Sequence, residues 1–404
     1  MGKIIHRVRM PARPNRLLPL LGLLIILAII STTLYVPSMP AMARAFHTDI
    51  AAIQLTLTAF LIPYAFGQLI HGPLSDRLGR RPILFAGLGL AGVASLACAL
   101  APDIRFLIAA RVVQGAGACA GVVVSRAVVR DLFAREQAAR ANSVIGAAVA
   151  AAPALGPVLG GQLEVTFGWR SSFIFLAAAS ALIMAFAWRQ LPETNPRKVG
   201  ITSARGLLEG YRLLLASPPF WAYAFVISGI FAGLFAFTTG APVLVIDKLG
   251  FGPDIYGAFA ALPTLGSLLG SILSNALTVR IGMDRLVLLG SIVYAGAGAI
   301  MALIALSGTL SIAALFGPMI VFTLGLGLAL PNALAGVVSI HPNFAGSAAA
   351  LTGCLQMTCG ALGTLAVLSL PGTSAVSLAL VIATAGLTGL LGWLALGRDQ
   401  ARRS

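Results

Sequence analysis

The chain has 404 residues, 58% of them hydrophobic and 10% charged, with a mean hydropathy of +0.96. A soluble domain carries roughly a quarter of its residues as charges. This chain cannot clothe a water-facing surface, so its main solvent is lipid. A soluble enzyme, a secreted disulfide scaffold and a disordered tail protein are excluded, leaving a polytopic α-helical membrane protein.

The formal net charge is +15. In a soluble domain that would point to nucleic acid; here the loops account for it, because cytoplasmic loops collect Lys and Arg, and no nucleic-acid partner is called for. Cys98, Cys119, Cys354 and Cys359 lie in apolar stretches without CxxC spacing and read as small buried hydrophobes. No metal-ligand cluster and no cofactor motif is present.

In chain order, Lys3, Arg7, Arg9, Arg13 and Arg16 precede an apolar run from Leu17 to about Met39. That run is longer than a secretory h-region of 7–15 residues and reads as the first span. Apolar segments then fall near 51–71, 83–101, 105–127, 142–165, 172–191, 220–245, 255–278, 285–306, 310–337, 344–370 and 374–396. Each is long enough for a helix across ~30 Å of hydrocarbon. Their continuous apolarity excludes a strand barrel. Only a short loop around His341, Pro342 and Asn343 separates the tenth from the eleventh.

Twelve spans put both termini on one side. With the N-terminus inside, 22 Lys and Arg fall on the cytoplasmic side and four, Arg44, Arg105, Arg170 and Lys248, outside, while Arg111 lies within a span. The longest polar stretch, Leu191 to Pro219, divides the chain six and six. The expected organisation is an N-terminal bundle (1–191), a central cytoplasmic loop (192–219) and a C-terminal bundle (220–404). Leu74, Arg77 and Gly79 after span 2 match Leu277, Arg280 and Gly282 after span 8 at a constant offset of 203. That is the trace of a parallel duplication.

The turn after span 2 reads Gly67-Gln-Leu-Ile-His71-Gly72-Pro-Leu-Ser-Asp76-Arg77-Leu-Gly79-Arg80-Arg81-Pro82. Gly72 and Gly79 permit a tight turn, and Asp76 can pair with arginines or face a helix N-terminus. This segment resembles motif A of the major facilitator superfamily. Arg111-Val-Val-Gln114-Gly115 is similar to its motif B, and Pro153-Ala-Leu-Gly156-Pro157-Val-Leu-Gly160-Gly161 to motif C of twelve-span drug:H⁺ antiporters. Tyr35-Val-Pro37-Ser-Met-Pro40, Thr239-Gly-Ala-Pro242-Val-Leu-Val-Ile-Asp247 and Pro331-Asn332 with Gln356-Met357 resemble the Bcr/CflA subfamily. The resemblance covers about residues 17 to 395. It implies an all-α fold of twelve transmembrane helices in two pseudo-symmetric six-helix bundles, a central cavity and alternating access. It also implies a plasma-membrane multidrug exporter with protons as the coupling ion and no cofactor.

In one place the chain departs from that subfamily. Where span 1 usually carries a cavity carboxylate, this chain has Thr33, in Thr32-Thr33-Leu34-Tyr35. All twelve acids fall in loops, tails or span ends. A carboxylate in a dry cavity has a raised pKa and can trade a proton for a cation; lacking one, the chain is expected to favour neutral or anionic substrates. Arg111 must be satisfied by backbone carbonyls, Gln114, water or ligand. Asp76 and Asp131, near Arg80, Arg126 and Arg130, form either a proton-binding network or a structural latch. His71, ending span 2, is a titratable or merely solvated side chain, with His341 and His47 behind it.

The cavity is expected to be lined from Thr33, Tyr35, Gln54, Thr58, Tyr64, Gln68, Gln114, Phe235, Phe237, Thr238, Tyr256, Asn332 and Gln356, with at most one of Phe235 and Phe237 pointing inward. Each is equally able to serve as interhelical glue. Trp221 and Tyr223 read as interfacial anchors. An intramembrane enzyme would need nucleophile–base pairs or metal ligands within the spans, and none is present. Uncoupled or importing metabolite transport, a channel and a transport-dead sensor are the alternatives. Each chain carries both halves of its own pathway, so a monomer is expected.

Overall fold

A computed structural model describes residues 17–133, 135–195, 204–370 and 374–397. The basic N-terminal tail, the C-terminal Arg398, Arg402 and Arg403, and Arg197 and Lys198 of the central loop lie outside the described residues.

The described chain is all helix. In order the elements are α1 (Leu18–Thr33), α2 (Met39–Ala45), α3 (Ile50–Leu78), α4 (Arg80–Ala99), α5 (Ile104–Leu132), α6 (Arg135–Phe167), α7 (Arg170–Gln190), α8 (Ala204–Leu215), α9 (Pro218–Pro242), α10 (Pro253–Ala260), α11 (Leu262–Ile281), α12 (Met283–Leu306), α13 (Ile312–Ile340), α14 (Ala345–Ser369) and α15 (Ala375–Leu396). Among the described residues, eleven helical stretches are long and apolar enough to cross a membrane. The expected fifth span falls on α6, whose 33 residues reach about 50 Å. Outward-facing Val93, Leu182, Ile272, Leu303 and Leu391 stand exposed and require a hydrocarbon solvent.

Several spans are interrupted where proline removes a backbone donor. The first breaks between α1 and α2, around Pro37 and Pro40. The eighth breaks at Ala261, before Pro263. The seventh runs on from Pro242 as a single π turn, Val243–Lys248. The central loop is not all loop: α8 lies within it, with Gly210 and Leu214 buried, and Gly210 packs on Phe344 and Ser347 at the start of α14.

Helices approach through small residues, as membrane bundles do in the absence of a strong hydrophobic drive. Gly87 and Gly117 join α4 to α5, Gly290 and Gly325 join α12 to α13, and Gly270 and Gly327 join α11 to α13. The expected duplication is visible in the backbone. Gly79 (φ 108°, ψ 154°) and Gly282 (φ 90°, ψ 153°) end α3 and α11 in one conformation, each donating its N–H four residues back, to Ser75 O and Thr278 O. An L side chain is strained at such a φ, so both turns call for glycine.

Candidate functional site

Three clusters hold the residues singled out in the sequence. The first lies at the end of the molecule bearing Arg77, Arg80 and Arg81, hereafter the basic end. Arg80 is buried and pairs with Asp76 one turn back, while its Nε donates to Asp131 Oδ2 at 2.9 Å and its Nη1 to Ser75 Oγ at 2.7 Å. Arg126 and Arg130 stand outside this network, contrary to expectation, because the Arg80 guanidinium already occupies the space between the two carboxylates. Arg77 is exposed, and Gly72 packs loosely near Val123. Arg81 stacks on Trp188 (4.9 Å) and Phe85 (5.3 Å) and donates to Trp188 O.

The same cluster contains three residues that sequence reasoning passed over. Glu193 Oε1 accepts from the Arg80 and Asn195 N–H groups, both at 2.9 Å, and its Oε2 accepts from Arg81 N–H at 3.0 Å. It thereby caps the N-terminus of α4, where backbone donors are unpaired and the helix dipole favours an anion. Thr194 Oγ1 donates to Asp131 Oδ2 (3.1 Å) and Asn195 Nδ2 to Asp76 O (3.1 Å). Their sequence signal was a polar triplet two residues after the end of α7, counted only as loop.

The second cluster surrounds Arg111. Its guanidinium is fully buried and takes two of the four kinds of partner left open by the sequence, backbone carbonyls and Gln114. Nη1 donates to Ser31 O (3.1 Å) and Gln114 Oε1 (2.5 Å), and Nε to Thr56 O (3.4 Å). The rings of Phe60 (4.3 Å) and Tyr35 (4.4 Å) cover it, while Nη2 has no hydrogen-bond partner. Tyr35 and Gln114 are thus consumed in holding it: Tyr35 OH bonds Thr56 Oγ1 and Gln114 Nε2 bonds Ser95 Oγ. Gly115 lets α5 lie directly on the Phe60 backbone.

The third cluster is a seam between the two halves of the chain at the opposite end. A Cβ on Gly161 would strike Pro253 O, and one on Gly257 would strike Pro157 O, so α6 and α10 touch backbone to backbone. Gly160 and Gly156 bring α6 equally close to Leu34 O and to the Thr33 side chain of α1. Thr33 Oγ1 is buried without a partner. Arg44 and Asp247 bridge the halves at 3.5 Å. Along α3, Gln54 Nε2 donates to Thr239 O (2.8 Å) and Gln68 Nε2 to Gly353 O (2.9 Å), so these two of the five expected cavity amides tie the halves together.

The remaining expectations divide. Asn332 is spent within the second half, bonded to Ser274 Oγ, Leu328 O and Thr278. Phe235 packs on Gly360 and Phe237 edge-on to Phe316, so neither points into open space. Tyr256 is buried on α10, one residue from the Gly257 contact, and Thr238 turns back onto Leu234 O. Tyr223 is no interfacial anchor: it is buried against Gly336, and its hydroxyl donates to Asp284 at 2.7 Å. His71 is no free helix end; its Nδ1 lies 2.8 Å from Gly67 O and 3.4 Å from Cys119 Sγ. Thr33 and Thr58 keep buried hydroxyls without a partner, and Tyr64, Tyr256 and Gln356 likewise make no side-chain hydrogen bond among the described residues.

Apolar helices in two repeats, tied along α3 and drawn shut across one end, constitute a polytopic helical transporter. A family model described as the Major Facilitator Superfamily matches residues 21–364. The chain belongs to that superfamily. Multidrug resistance protein D of Escherichia coli (strain K12) is 32% identical over 392 residues, spanning 97% of this chain and 98% of its own. A chloramphenicol resistance protein of Pseudomonas aeruginosa is 32% identical over 362 residues, 87% of this chain and 83% of its own. A bacterial homologue of the human lysosomal transporter Spinster, solved inward-facing and unoccupied, superposes with a TM-score of 0.74 at 17% identity, over 96% of this chain and 98% of that one.

Proposed function

We propose that this chain exports small drug-like or metabolite molecules across the plasma (inner) membrane by alternating access, as a monomer coupled to protons, with neutral or anionic substrates favoured over cations. The basic end faces the cytoplasm, in keeping with the placement of Lys and Arg. Residues 1–191 and 220–404 then rock as two six-helix units joined by 192–219.

One observation carries the reading: the halves meet backbone to backbone at the outer end, through Gly161–Pro253 and Gly257–Pro157. At the cytoplasmic end the Asp76–Arg80–Asp131 latch lies wholly within the first half. A carrier so built is closed at the outer end, where the halves meet, and opens to that side by parting this seam. The names of its drug-resistance relatives support an exporter. The substrate preference rests on Thr33 in place of the usual span-1 acid.

The test is accumulation of a neutral amphenicol in an efflux-deficient bacterial strain expressing the chain, with and without a protonophore. Lower accumulation, restored by the protonophore, is expected. Unchanged accumulation with the protein confirmed in the membrane would favour the second reading, uncoupled metabolite transport, which the unpartnered Thr33 hydroxyl also suits. Tight saturable transport of a permanent dication such as a viologen would contradict the substrate preference.

A further inference from the structure

The last turns of α5 carry a feature that neither the latch nor the seam uses. From Val124 to Val129 every residue but Arg126 is buried, and Arg126 and Arg130 are exposed. Residues four apart on a helix stand one above the other, so the two arginines form a single open stripe. Other faces of α5 are occupied. Gly121 and Ser125 pack on α1, Gly117 and Ala120 on α4, and Cys119 and Val123 on α3.

Arg126 lies six residues inside the basic end of α5, about 9 Å along the axis. Its side chain is exposed and lies within electrostatic reach of Tyr64 on α3. It shares its face with Arg130, which lies against α14 of the second half, so the stripe lines an internal vestibule between the halves. Arg130 stands at its mouth: a Cβ on Gly346 of α14 would lie 3.6 Å from Arg130 Nη1. The vestibule is thus bounded by α3, α5 and α14.

Neither arginine has a counter-ion among the described residues. Asp76 and Asp131 are held by Arg80, and Glu193 by the α4 N-terminus. Asp284 accepts from Tyr223, and Asp247 pairs with Arg44 at the other end. When the vestibule closes and loses its water, an uncompensated guanidinium must acquire an anion or resist closure. A planar guanidinium fork matches a carboxylate in two-point contact. Tyr64, without a hydrogen bond of its own, offers an aromatic face within reach of Arg126.

We propose that Arg126, with Arg130 at the entrance, binds the acidic group of an amphiphilic aromatic anion entering from the cytoplasm. This names the substrate class and rests on the exporter reading for its direction only. The consequence is a carrier that closes readily when loaded with an anion and reluctantly when empty.

The test is equilibrium binding by fluorescence anisotropy on the purified full chain in neutral detergent, where no anionic lipid competes. Fluorescein and rhodamine 123 share a ring system and differ in charge. The wild type is expected to bind fluorescein at least about ten-fold more tightly than rhodamine 123. Arg126→Gln should weaken fluorescein at least about ten-fold and leave rhodamine 123 unchanged or tighter, with Arg126→Lys between; about 1.4 kcal/mol corresponds to each ten-fold step. Rhodamine 123 bound as tightly as fluorescein, no fluorescein binding by folded wild type, or full fluorescein affinity in Arg126→Gln would each overturn the site. Gel filtration establishes that each variant is folded, as a vestibule-facing position allows. Fluorescein binding with no fluorescein export from cells expressing the chain would keep the site and reject the exporter reading instead.

Discussion

The Arg111 guanidinium carbon lies 4.4 Å above the Tyr35 ring, and the Phe60 ring approaches it at 4.3 Å. A buried cation is thus held by π faces, two backbone carbonyls and one amide rather than by a carboxylate. Cation–π contacts strengthen when desolvated, and the donors of Arg111 fasten α1, α3 and α5 at one point.

Arg111 therefore acts first as a structural clamp. Arg111→Ala should cost on the order of 3 kcal/mol or more, through lost charged hydrogen bonds and ring contacts. Thermal unfolding in detergent and the yield of membrane-inserted protein check this. A normally stable variant with transport abolished would instead make Arg111 a direct participant in transport.

The latch makes a kinetic prediction. We expect the Asp76–Arg80 pair to be remade in each transport cycle; Asp76→Asn removes it, while Arg80 keeps Asp131. Turnover should fall by about ten-fold or more, a change of about 1.4 kcal/mol in barrier height, with equilibrium substrate affinity nearly unchanged. Equal losses in both measurements would place Asp76 in the binding step.

Glu193 makes a prediction of its own. Its two oxygens accept three backbone N–H groups. Glu193→Ala should destabilise the protein by about 1 kcal/mol, the usual worth of a helix cap. Glu193→Gln, which keeps an acceptor and loses the charge, should recover part of that. Melting temperature across the series is the readout, and a flat series would reduce Glu193 to a bystander.

The outer seam leaves no room for a side chain. Gly161→Ala sets a methyl against Pro253 O and the Asp254 backbone, neither of which can yield as a flexible side chain would. The variant should spend more time open at that end. A cysteine placed at buried Ser38, in a background free of the native thiols, should react with an impermeant thiol reagent about ten-fold faster than with Gly161 intact, a shift of about 1.4 kcal/mol in the gate equilibrium. Unchanged reactivity would show that the seam relaxes around the methyl.

Much of this protein is legible in its sequence, because lipid imposes a simple code. Long apolar runs must be helices, since no other open backbone is satisfied in hydrocarbon. Gly79 and Gly282 announce matching turns, and Asp76, Arg80 and Asp131 announce a latch by lying at helix ends. Which polar residues face one another was decided only in three dimensions. A helix apolar on every side carries little periodic signal to set its rotation, so Tyr35 turned onto Arg111 and Asn332 onto Ser274, while Thr33, Thr58, Tyr64, Tyr256 and Gln356 were left without side-chain hydrogen bonds. The ties of Gln54 to Thr239 and Gln68 to Gly353 span 185 and 285 residues of sequence. Arg126 read as one more cytoplasmic cation until Arg130, on the same face, was placed against Gly346 of α14. Hydropathy settles which segments enter the membrane; the mutual rotation and approach of the helices, set by glycine contacts between distant segments, settles what each side chain meets there.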